Sequence, residues 1–317
     1  MLTNFPNGIT SFGVPVTGPA PISVPNGNGK VIYVDATGQV GPPGAGVEIT
    51  ATTIQAAINA CTSGAGDTIL VFPGTYNENL VISGINYLTI IGCQVGGYER
   101  PDVGDATGTA LTITESQGVV IRNMRFYNED NSDVAITDSN GGVFDNCVFD
   151  GNAAMTANKA CLAFQVNATD DSYTASENVV QNSLIRGSAA IGMRFQAAAA
   201  PIGVGTTHNV VANNRFIGIT GADIKSVTAT SATYTFQTTQ VSGNQFMDFD
   251  KALYLKLDAQ VEDNGLISGN FFASDTALDA VSIDLSGTSI AFAGNFASAG
   301  IVDDPGENHG SLGEWRH

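Results

Sequence analysis

The 317-residue sequence has little positive charge. Lys and Arg number 12 against 30 Asp and Glu, which gives a formal net charge of -18. Proteins that follow a phosphate backbone need clustered basic side chains, so we expect no nucleic-acid partner. Anionic membrane surfaces are disfavoured for the same electrostatic reason. No apolar run approaches the roughly 20 residues that span a bilayer, so we expect no membrane partner.

Cysteine is scarce as well, and the four cysteines lie far apart, at Cys61, Cys93, Cys147 and Cys161. They form no CxxC pair, and the three histidines do not cluster with them. We therefore expect no metal site and no cofactor, and four reduced thiols that pack as small apolar side chains. The first residues lack the basic and apolar segments of a secretory signal, so we expect synthesis in the cytoplasm without a signal peptide.

The sequence divides into three zones. Residues 1–29 are rich in Pro and Gly, and their five prolines exclude a regular helix and most strand ladders. Apolar side chains set in this extended frame suggest an arm that lies on another surface; an arm folded back on its own domain is the alternative. Residues 30–300 form the body, and residues 301–317 form a short tail. The expected partner-binding anchors of the arm are Phe5, Phe12, Val14 and Val16.

The body repeats. A short helix is predicted over residues 53–61, capped by Thr52 or Thr53, and many short strands follow it. Asn or Gly recurs at one bend at intervals of 23 to 36 residues. A loose period of this length indicates coils that stack and share one core, with parallel ladders between equivalent strands. The aligned anchors are Gly92, Asn123, Asn146, Asn182, Asn213, Gly243, Gly269 and Gly294.

The alignment also predicts where side chains point. The position after the anchor stacks Asn214, Asn244, Asn270 and Asn295, which predicts a ladder of amides that bond to one another. Cys93 and Cys147 share that position two coils apart, about 10 Å, which is too far for a disulfide. Six repeat phenylalanines are expected inside the coils: Phe126, Phe149, Phe216, Phe246, Phe272 and Phe296. Five strand arginines are expected to face solvent: Arg122, Arg125, Arg186, Arg194 and Arg215.

With this pattern in hand, the sequence resembles the right-handed parallel β-helix proteins of the pectin-lyase-like superfamily. The resemblance covers roughly residues 30–300 and rests on VIYVD, TIQAAINAC and GDTILVFPGTYNENLVI. It implies an all-β, single-stranded right-handed parallel β-helix of about eight to ten coils, with an N-terminal capping helix and an extended arm. It implies little about function, because one scaffold hosts lyases, hydrolases, esterases, tailspikes and inert structural proteins.

The arm carries a second resemblance. NFPNGITSFGVPV (residues 4–16) resembles the openings of virion-associated proteins of tailed phages, such as capsid decoration proteins and head fibres. In those proteins a short arm docks on the particle and the β-helix stands outward. The resemblance implies a location on the virion surface and a major capsid protein or another virion protein as partner. It also implies a possible homo-oligomer, often a trimer, although no trimerisation domain is recognisable.

The catalytic motifs of the family do not match. Gly74-Thr75-Tyr76-Asn77-Glu78 fits an element of pectin methylesterases, but the Asp and Gln motifs that should follow are missing, so Tyr76 and Glu78 are interpreted as part of the cap. Generic glycosidase chemistry needs two carboxylates about 5 to 10 Å apart. Calcium is an open possibility at the face of Asp130 and Asp150. The carboxylate candidates are Glu129, Asp130, Asp150, Asp248 and Asp250.

Two functions follow as hypotheses. The first is a non-enzymatic virion structural protein that is attached through residues 1–29. The alternative is a tailspike-type depolymerase, a glycoside hydrolase or polysaccharide lyase, or a module that binds a surface glycan without cleaving it.

Overall fold

The computed structural model describes residues 29–36, 49–94, 100–105, 107–128, 132–152, 159–166, 174–189, 191–197, 205–228, 238–247, 251–256, 265–273, 279–284, 290–297, 300–303, 311–312 and 315–316. Short strands dominate them. In chain order the elements are β1 (Val31–Val34), β2 (Ile49–Ala51), α1 (Ile54–Asn59), β3 (Thr68–Val71), β4 (Thr75–Tyr76), β5 (Leu80–Ser83), β6 (Thr89–Gly92), β7 (Asp102–Asp105), β8 (Leu111–Thr114), β9 (Val120–Arg122), β10 (Arg125–Asn128), β11 (Val134–Thr137), β12 (Val143–Asp145), β13 (Val148–Gly151), β14 (Leu162–Val166), β15 (Val179–Gln181), β16 (Leu184–Gly187), β17 (Ile191–Ala197), β18 (Val210–Ala212), β19 (Arg215–Ile217), β20 (Ala222–Thr228), β21 (Gln240–Ser242), β22 (Gln245–Met247), β23 (Lys251–Lys256), β24 (Gly265–Ser268), β25 (Phe271–Ala273), β26 (Asp279–Asp284), β27 (Ile290–Ala293), β28 (Phe296–Ala297), β29 (Gly300–Asp303), β30 (Ser311–Leu312) and β31 (Trp315–Arg316).

The strands form three parallel sheets. Sheet A contains β2, β1, β3 and then every third strand to β30; sheet B runs from β4 to β31, and sheet C from β5 to β29. Each successive trio of A, B and C strands is one coil, so β3 to β29 make nine complete coils and β30–β31 begin another. The predicted right-handed parallel β-helix is confirmed, and at about 4.8 Å per rung it is roughly 45 Å long. The expected boundary at residue 300 falls inside the last complete coil.

The N-terminal end is covered by α1. Thr53 caps this helix, and its Oγ1 accepts a hydrogen bond from the Ala56 amide at 3.3 Å. Ile54, Ala57 and Ile58 face the core and are buried. The capping helix predicted over residues 53–61 is therefore present, shortened at its C-terminal end. Covering the first coil in this way protects strand edges that would otherwise invite association.

Stacked phenylalanines fill the coils along sheet B. The ring centroids of Phe216 and Phe246 are 4.8 Å apart, and those of Phe246 and Phe272 are 4.9 Å apart. Phe296 was expected in this core row, and that prediction is wrong, because its side chain is 38% exposed and pairs with the outward Phe271. It follows its anchor glycine by two residues, whereas the core phenylalanines follow by three. A shift of one residue moves a strand side chain to the opposite face.

The predicted amide ladder lies at the bend between sheets A and B. The Nδ2 of Asn214, Asn244 and Asn270 each donates to the Oδ1 of the next asparagine, at 3.1, 3.0 and 3.0 Å, and the column ends at Asn295. Each of these Nδ2 atoms also donates to a main-chain carbonyl; that of Asn244, for example, donates to Val211 O at 2.8 Å. All four side chains are buried. The ladder therefore satisfies its polar atoms inside the core.

The anchor residues before the ladder adopt left-handed backbone conformations. Asn123, Asn146, Asn182 and Asn213 have φ between 53° and 57°, and Gly243, Gly269 and Gly294 have φ between 61° and 66°. Asn and Gly are the residues that tolerate this region best. Gly92, the first predicted anchor, is instead the last residue of β6 and is not left-handed. From Asn123 onward the backbone turns in the same way in each coil, which keeps the strands of sheets A and B in constant register.

Candidate functional site

The element that fits a pectin methylesterase motif is structural. The Tyr76 hydroxyl donates to Phe72 O at 2.8 Å, and burial raises the pKa of this phenol to about 12. Glu78 accepts hydrogen bonds from the Ile54 and Gln55 amides, both at 2.9 Å, so its two carboxylate oxygens occupy the N-terminus of α1. Carboxylates stabilise helix N-termini by accepting from free amides. The interpretation of both residues as part of the cap is supported by these contacts.

A network of opposite charges crosses the outer face of sheet B. Asp102, Arg125, Asp150 and Arg186 lie on consecutive strands β7, β10, β13 and β16. Asp150 Oδ2 accepts from Arg125 Nη2 and from Arg186 Nη2, both at 2.7 Å. Arg125 also reaches Asp102 Oδ2 with its Nη1 at 3.1 Å. One carboxylate oxygen thus joins two guanidinium groups from neighbouring coils.

These contacts set the charge of Asp150. Partial burial alone would raise its pKa, but hydrogen bonds and attraction from Arg186 and Arg125 outweigh burial and lower the pKa. Asp150 therefore remains ionised at neutral pH. Since Oδ2 already accepts from two arginines, the chemistry available to Asp150 here is ion pairing within the network. Catalysis by Asp150 stays a prediction.

Asp133 lies behind this network, immediately before β11, and its pKa is shifted in the opposite direction to that of Asp150. It is fully buried, and neither carboxylate oxygen makes a hydrogen bond of ordinary geometry. Burial raises its pKa well above the usual range, and the negative charge of Asp150 raises it further. Asp133 therefore keeps its proton to a higher pH than an exposed aspartate does. Two carboxyl groups with pKa values driven apart are the arrangement that acid–base catalysis uses, but Asp133 has no exposed surface for a substrate.

A second buried acid lies on sheet C. Asp223 on β20 is fully buried, has no hydrogen-bonded oxygen, and has a pKa raised well above its usual range by burial. Arg194 on β17 points outward but is only 7% exposed, so the prediction that it faces solvent is wrong. Ala163, its register partner on β14, is also buried. The outer surface of sheet C is therefore covered at these coils.

The four thiols are unpaired, as expected, but only two of them are fully buried. All four cysteines are free; Cys147 and Cys161 are buried, and Cys61 and Cys93 are half-buried. Burial raises the pKa of Cys61 and of Cys147 to about 12. Thiols with so little thiolate at neutral pH are poor nucleophiles.

Among the described residues, no cluster of three or more His, Cys, Asp and Glu side chains is arranged to hold a metal ion. None of the helices in the described part of the chain has the length and apolar character needed to cross a bilayer. The predicted site residues that lie outside the described ranges are Phe5, Phe12, Val14, Val16, Glu129, Asp130, Asp248 and Asp250.

Comparison with known proteins identifies the fold. No family model and no curated protein sequence matches the chain. An alginate lyase from Paenibacillus sp. str. FPU-7 superimposes with a TM-score of 0.52 at 16% identity, over 78% of this chain and 94% of the lyase. Escherichia coli ybhc superimposes with a TM-score of 0.52 at 14% identity, over 93% of this chain and 90% of that chain. A polygalacturonase from Erwinia carotovora ssp. carotovora gives 0.44 at 10% identity, over 92% of this chain and 99% of the enzyme.

Proposed function

We propose that this chain is a non-enzymatic structural protein on the surface of a virus particle, where it decorates the capsid or forms a head fibre. The sequence basis is the resemblance of residues 4–16 to the arms of virion-associated proteins of tailed phages. On this proposal residues 1–29 bind the major capsid protein or another virion protein, and Phe5, Phe12, Val14 and Val16 are the apolar anchors.

The observation that carries the proposal is the point at which the arm meets the body. Lys30 N donates to Asp67 Oδ1 at 2.8 Å, and Lys30 Nζ donates to Ala60 O, which follows α1, at 2.6 Å. Thr68 N donates to Lys30 O at 2.9 Å, so this junction is part of the first coil. The arm therefore joins the body at the end covered by α1. A rod held there projects its last coils roughly 45 Å from the attachment site.

The charge network supports a structural role for sheet B. Asp150 is ionised and shared between Arg125 and Arg186, and Asp133 is buried beneath it. Neither carboxyl group combines free oxygens with access to a substrate. Asp102 and Asp150 pair with arginines of neighbouring coils and so hold these coils together.

Attachment through the arm is tested with particles that lack this protein. The full chain is expected to bind them, and a variant that lacks residues 1–29 is expected to lose binding while its circular dichroism and thermal unfolding stay those of the β-helix. Phe5→Ala combined with Phe12→Ala should weaken binding, whereas the matched polar changes Thr10→Ala and Thr17→Ala should not. Binding by the truncated chain would refute attachment through the arm.

A second function, cleavage or binding of a surface polysaccharide, is favoured by the fold that this chain shares with an alginate lyase. Polysaccharide cleavage needs a pair of acids that a substrate can reach, and Asp133 is too deeply buried to be one of them. A depolymerase predicts release of reducing ends from a host glycan that is lost in Asp130→Asn or Asp150→Asn but kept in Asp145→Asn. Binding without product would identify a glycan-binding module, and loss of either property with a chelator would support calcium near Asp130 and Asp150.

A further inference from the structure

The outer face of sheet A carries a continuous apolar row. Its members are register partners on consecutive strands from β9 to β18, and no polar residue interrupts them. Leu70 and Ile91 extend the apolar surface in the neighbouring row toward the capped end. Toward the other end the row of valines stops at the exposed Gln240, and Leu266 lies beyond it. The central row consists of Val120, Val143, Val179 and Val210. We call this surface the sheet A face.

The sheet A face is open, in contrast to the outer surface of sheet C. All four valines of the row keep part of their surface accessible, whereas Ala163 and Arg194 on sheet C are buried. In a flat sheet, the side chains on the neighbouring strands shield part of each side chain. Partial exposure is therefore expected even where no other segment covers the face. Continuous apolar surface left in this state is typical of a protein interface.

The sheet A face is also electrically neutral. On its strands from β3 to β27, the charged residues among those described are Arg122 and Asp145. They are register partners and form an ion pair, with 3.6 Å between Arg122 Nε and Asp145 Oδ2. The chain as a whole has a net charge of -18, so its acidic surface lies elsewhere.

The whole outer face of sheet A, from β3 to β27, is large enough for a stable interface, with the valine row as its apolar centre and polar side chains such as Gln181 and Gln240 around it. Nine strands at about 4.8 Å per rung give a length of about 40 Å. Three-residue strands and their flanking corners give a width of roughly 15 to 20 Å. The product is roughly 600 to 800 Å² per partner, and about 800 Å² per partner is usual for specific complexes.

Charge identifies the partner. Two copies of a chain with a net charge of -18 repel each other over their acidic surfaces, so they can meet closely only where each is neutral. A basic partner would be drawn to the acidic surfaces instead. An apolar neutral face on an acidic protein therefore fits another identical face best.

We propose that copies of this chain associate side by side through the sheet A face. Valine rows of the two copies pack together and remove their exposed apolar surface from water, and the Arg122–Asp145 pair adds no net charge to the contact. This interface does not include the arm, so the proposal can be tested independently of attachment to a particle.

The test is the mass of the full chain in solution, measured by sedimentation velocity over a range of concentrations. The wild-type chain is expected to sediment as a multiple of 32.7 kDa. Val179→Lys places like charges in the centre of the interface and is expected to raise the dissociation constant about tenfold or more. Val81→Lys is the matched control, since Val81 is a 48% exposed valine on β5 of sheet C and should leave the mass unchanged.

Circular dichroism checks that each variant is folded. If Val179→Lys does not fold, Val179→Thr keeps the β-branched shape and is expected to raise the dissociation constant by a smaller factor. A wild-type chain that sediments at 32.7 kDa at every concentration would overturn the proposal, because the face would then be covered by its own chain or by a different protein. An assembly with equal affinity in wild type and in the folded Val179 variant would also overturn it.

Discussion

Two sets of buried polar residues in this β-helix differ in how they are satisfied. The column from Asn214 to Asn295 repeats on consecutive coils, and each amide finds its partner in the next rung. Asp133 and Asp223 each occur alone, and their oxygens make no hydrogen bond of ordinary geometry. A solenoid thus buries a polar side chain favourably when the next coil presents the same side chain.

The chemistry of the two groups explains the difference. An amide both donates and accepts, so a stack of identical amides forms a continuous chain. A carboxylate only accepts, so stacked acids repel, and a single buried acid must take up a proton to remain neutral. The raised pKa values of Asp133 and Asp223 are the consequence.

The largest expected effect comes from breaking the ladder at its centre. Asn244→Ala removes the donor to Val211 O and to Asn270 Oδ1, and it removes the acceptor for Asn214 N. Several buried polar atoms are then left unsatisfied, each at a cost of about 1 to 3 kcal/mol, so a total loss of roughly 3 kcal/mol or more is expected. The free energy of unfolding from urea titration measures it.

The control for this prediction is Asn213→Gly. Asn213 is the exposed anchor next to the ladder with φ of 57°, and the equivalent residue one coil later is Gly243. A change below about 1 kcal/mol is expected for it. If both variants lowered the free energy of unfolding by the same amount, the amide ladder would contribute no more to stability than the anchor next to it.

The buried acids give an effect that depends on pH. In the unfolded chain Asp223 ionises near about pH 4, whereas in the folded chain burial keeps it protonated to higher pH. The unfolded state therefore binds fewer protons between these two pKa values, and stability falls as pH rises through this window, by up to about 1.4 kcal/mol per pH unit for each acid. Asp223→Asn removes the ionisation and should flatten the fall that begins above about pH 4.

Asp133→Asn should flatten the same profile independently, and the double variant should be flatter still. Asp145→Asn is the matched control, because Asp145 is partly exposed and paired with Arg122. A wild-type stability that rises steadily with pH across this window would contradict the assignment of neutral buried acids.

A smaller effect is expected from the network on sheet B. Asp150→Asn removes the charge that joins Arg125 and Arg186. These side chains are partly exposed, so the loss should be below about 1 kcal/mol and should shrink at high salt. Because the pKa of Asp150 is lowered, its contribution is present above about pH 4 and is lost as pH falls through the folded pKa. Denaturant titrations at low and high salt measure it.

Arg215→Gln is the control for the network, because Arg215 lies on the same face of sheet B, and its side chain reaches Met247 Sδ only at 4.0 Å. Its stability should be unchanged at either salt concentration. If Asp150→Asn were as neutral as this control at low salt, the network would contribute nothing measurable.

The sequence predicted what repeats. The position of Asn244 after its anchor, the spacing of the core phenylalanines and the N-terminal helix all depend on local pattern, and the structure confirms them. The prediction for Phe296 is wrong because Phe296 follows its anchor by two residues, whereas the core phenylalanines follow theirs by three. A count of residues from the anchor would have identified its outward position.

The site was predicted less well, because burial on an outer face depends on what other segments cover. Arg194 occupies an outward position by alternation, and nothing in its local sequence marks it as buried. Asp150 was predicted as a candidate acid, but the arginine partners that lower its pKa come from strands of neighbouring coils. The alignment of repeats predicts which residues lie side by side on neighbouring coils. A search for opposite charges at such positions would have identified the charge network on sheet B.

The most direct test of a virion structural role is mass spectrometry of purified particles from the source culture, with the copy number of this chain measured relative to the major capsid protein. The proposal predicts a fixed copy number that matches the symmetry of the capsid or of one of its vertices. Absence of the chain from purified particles would contradict it.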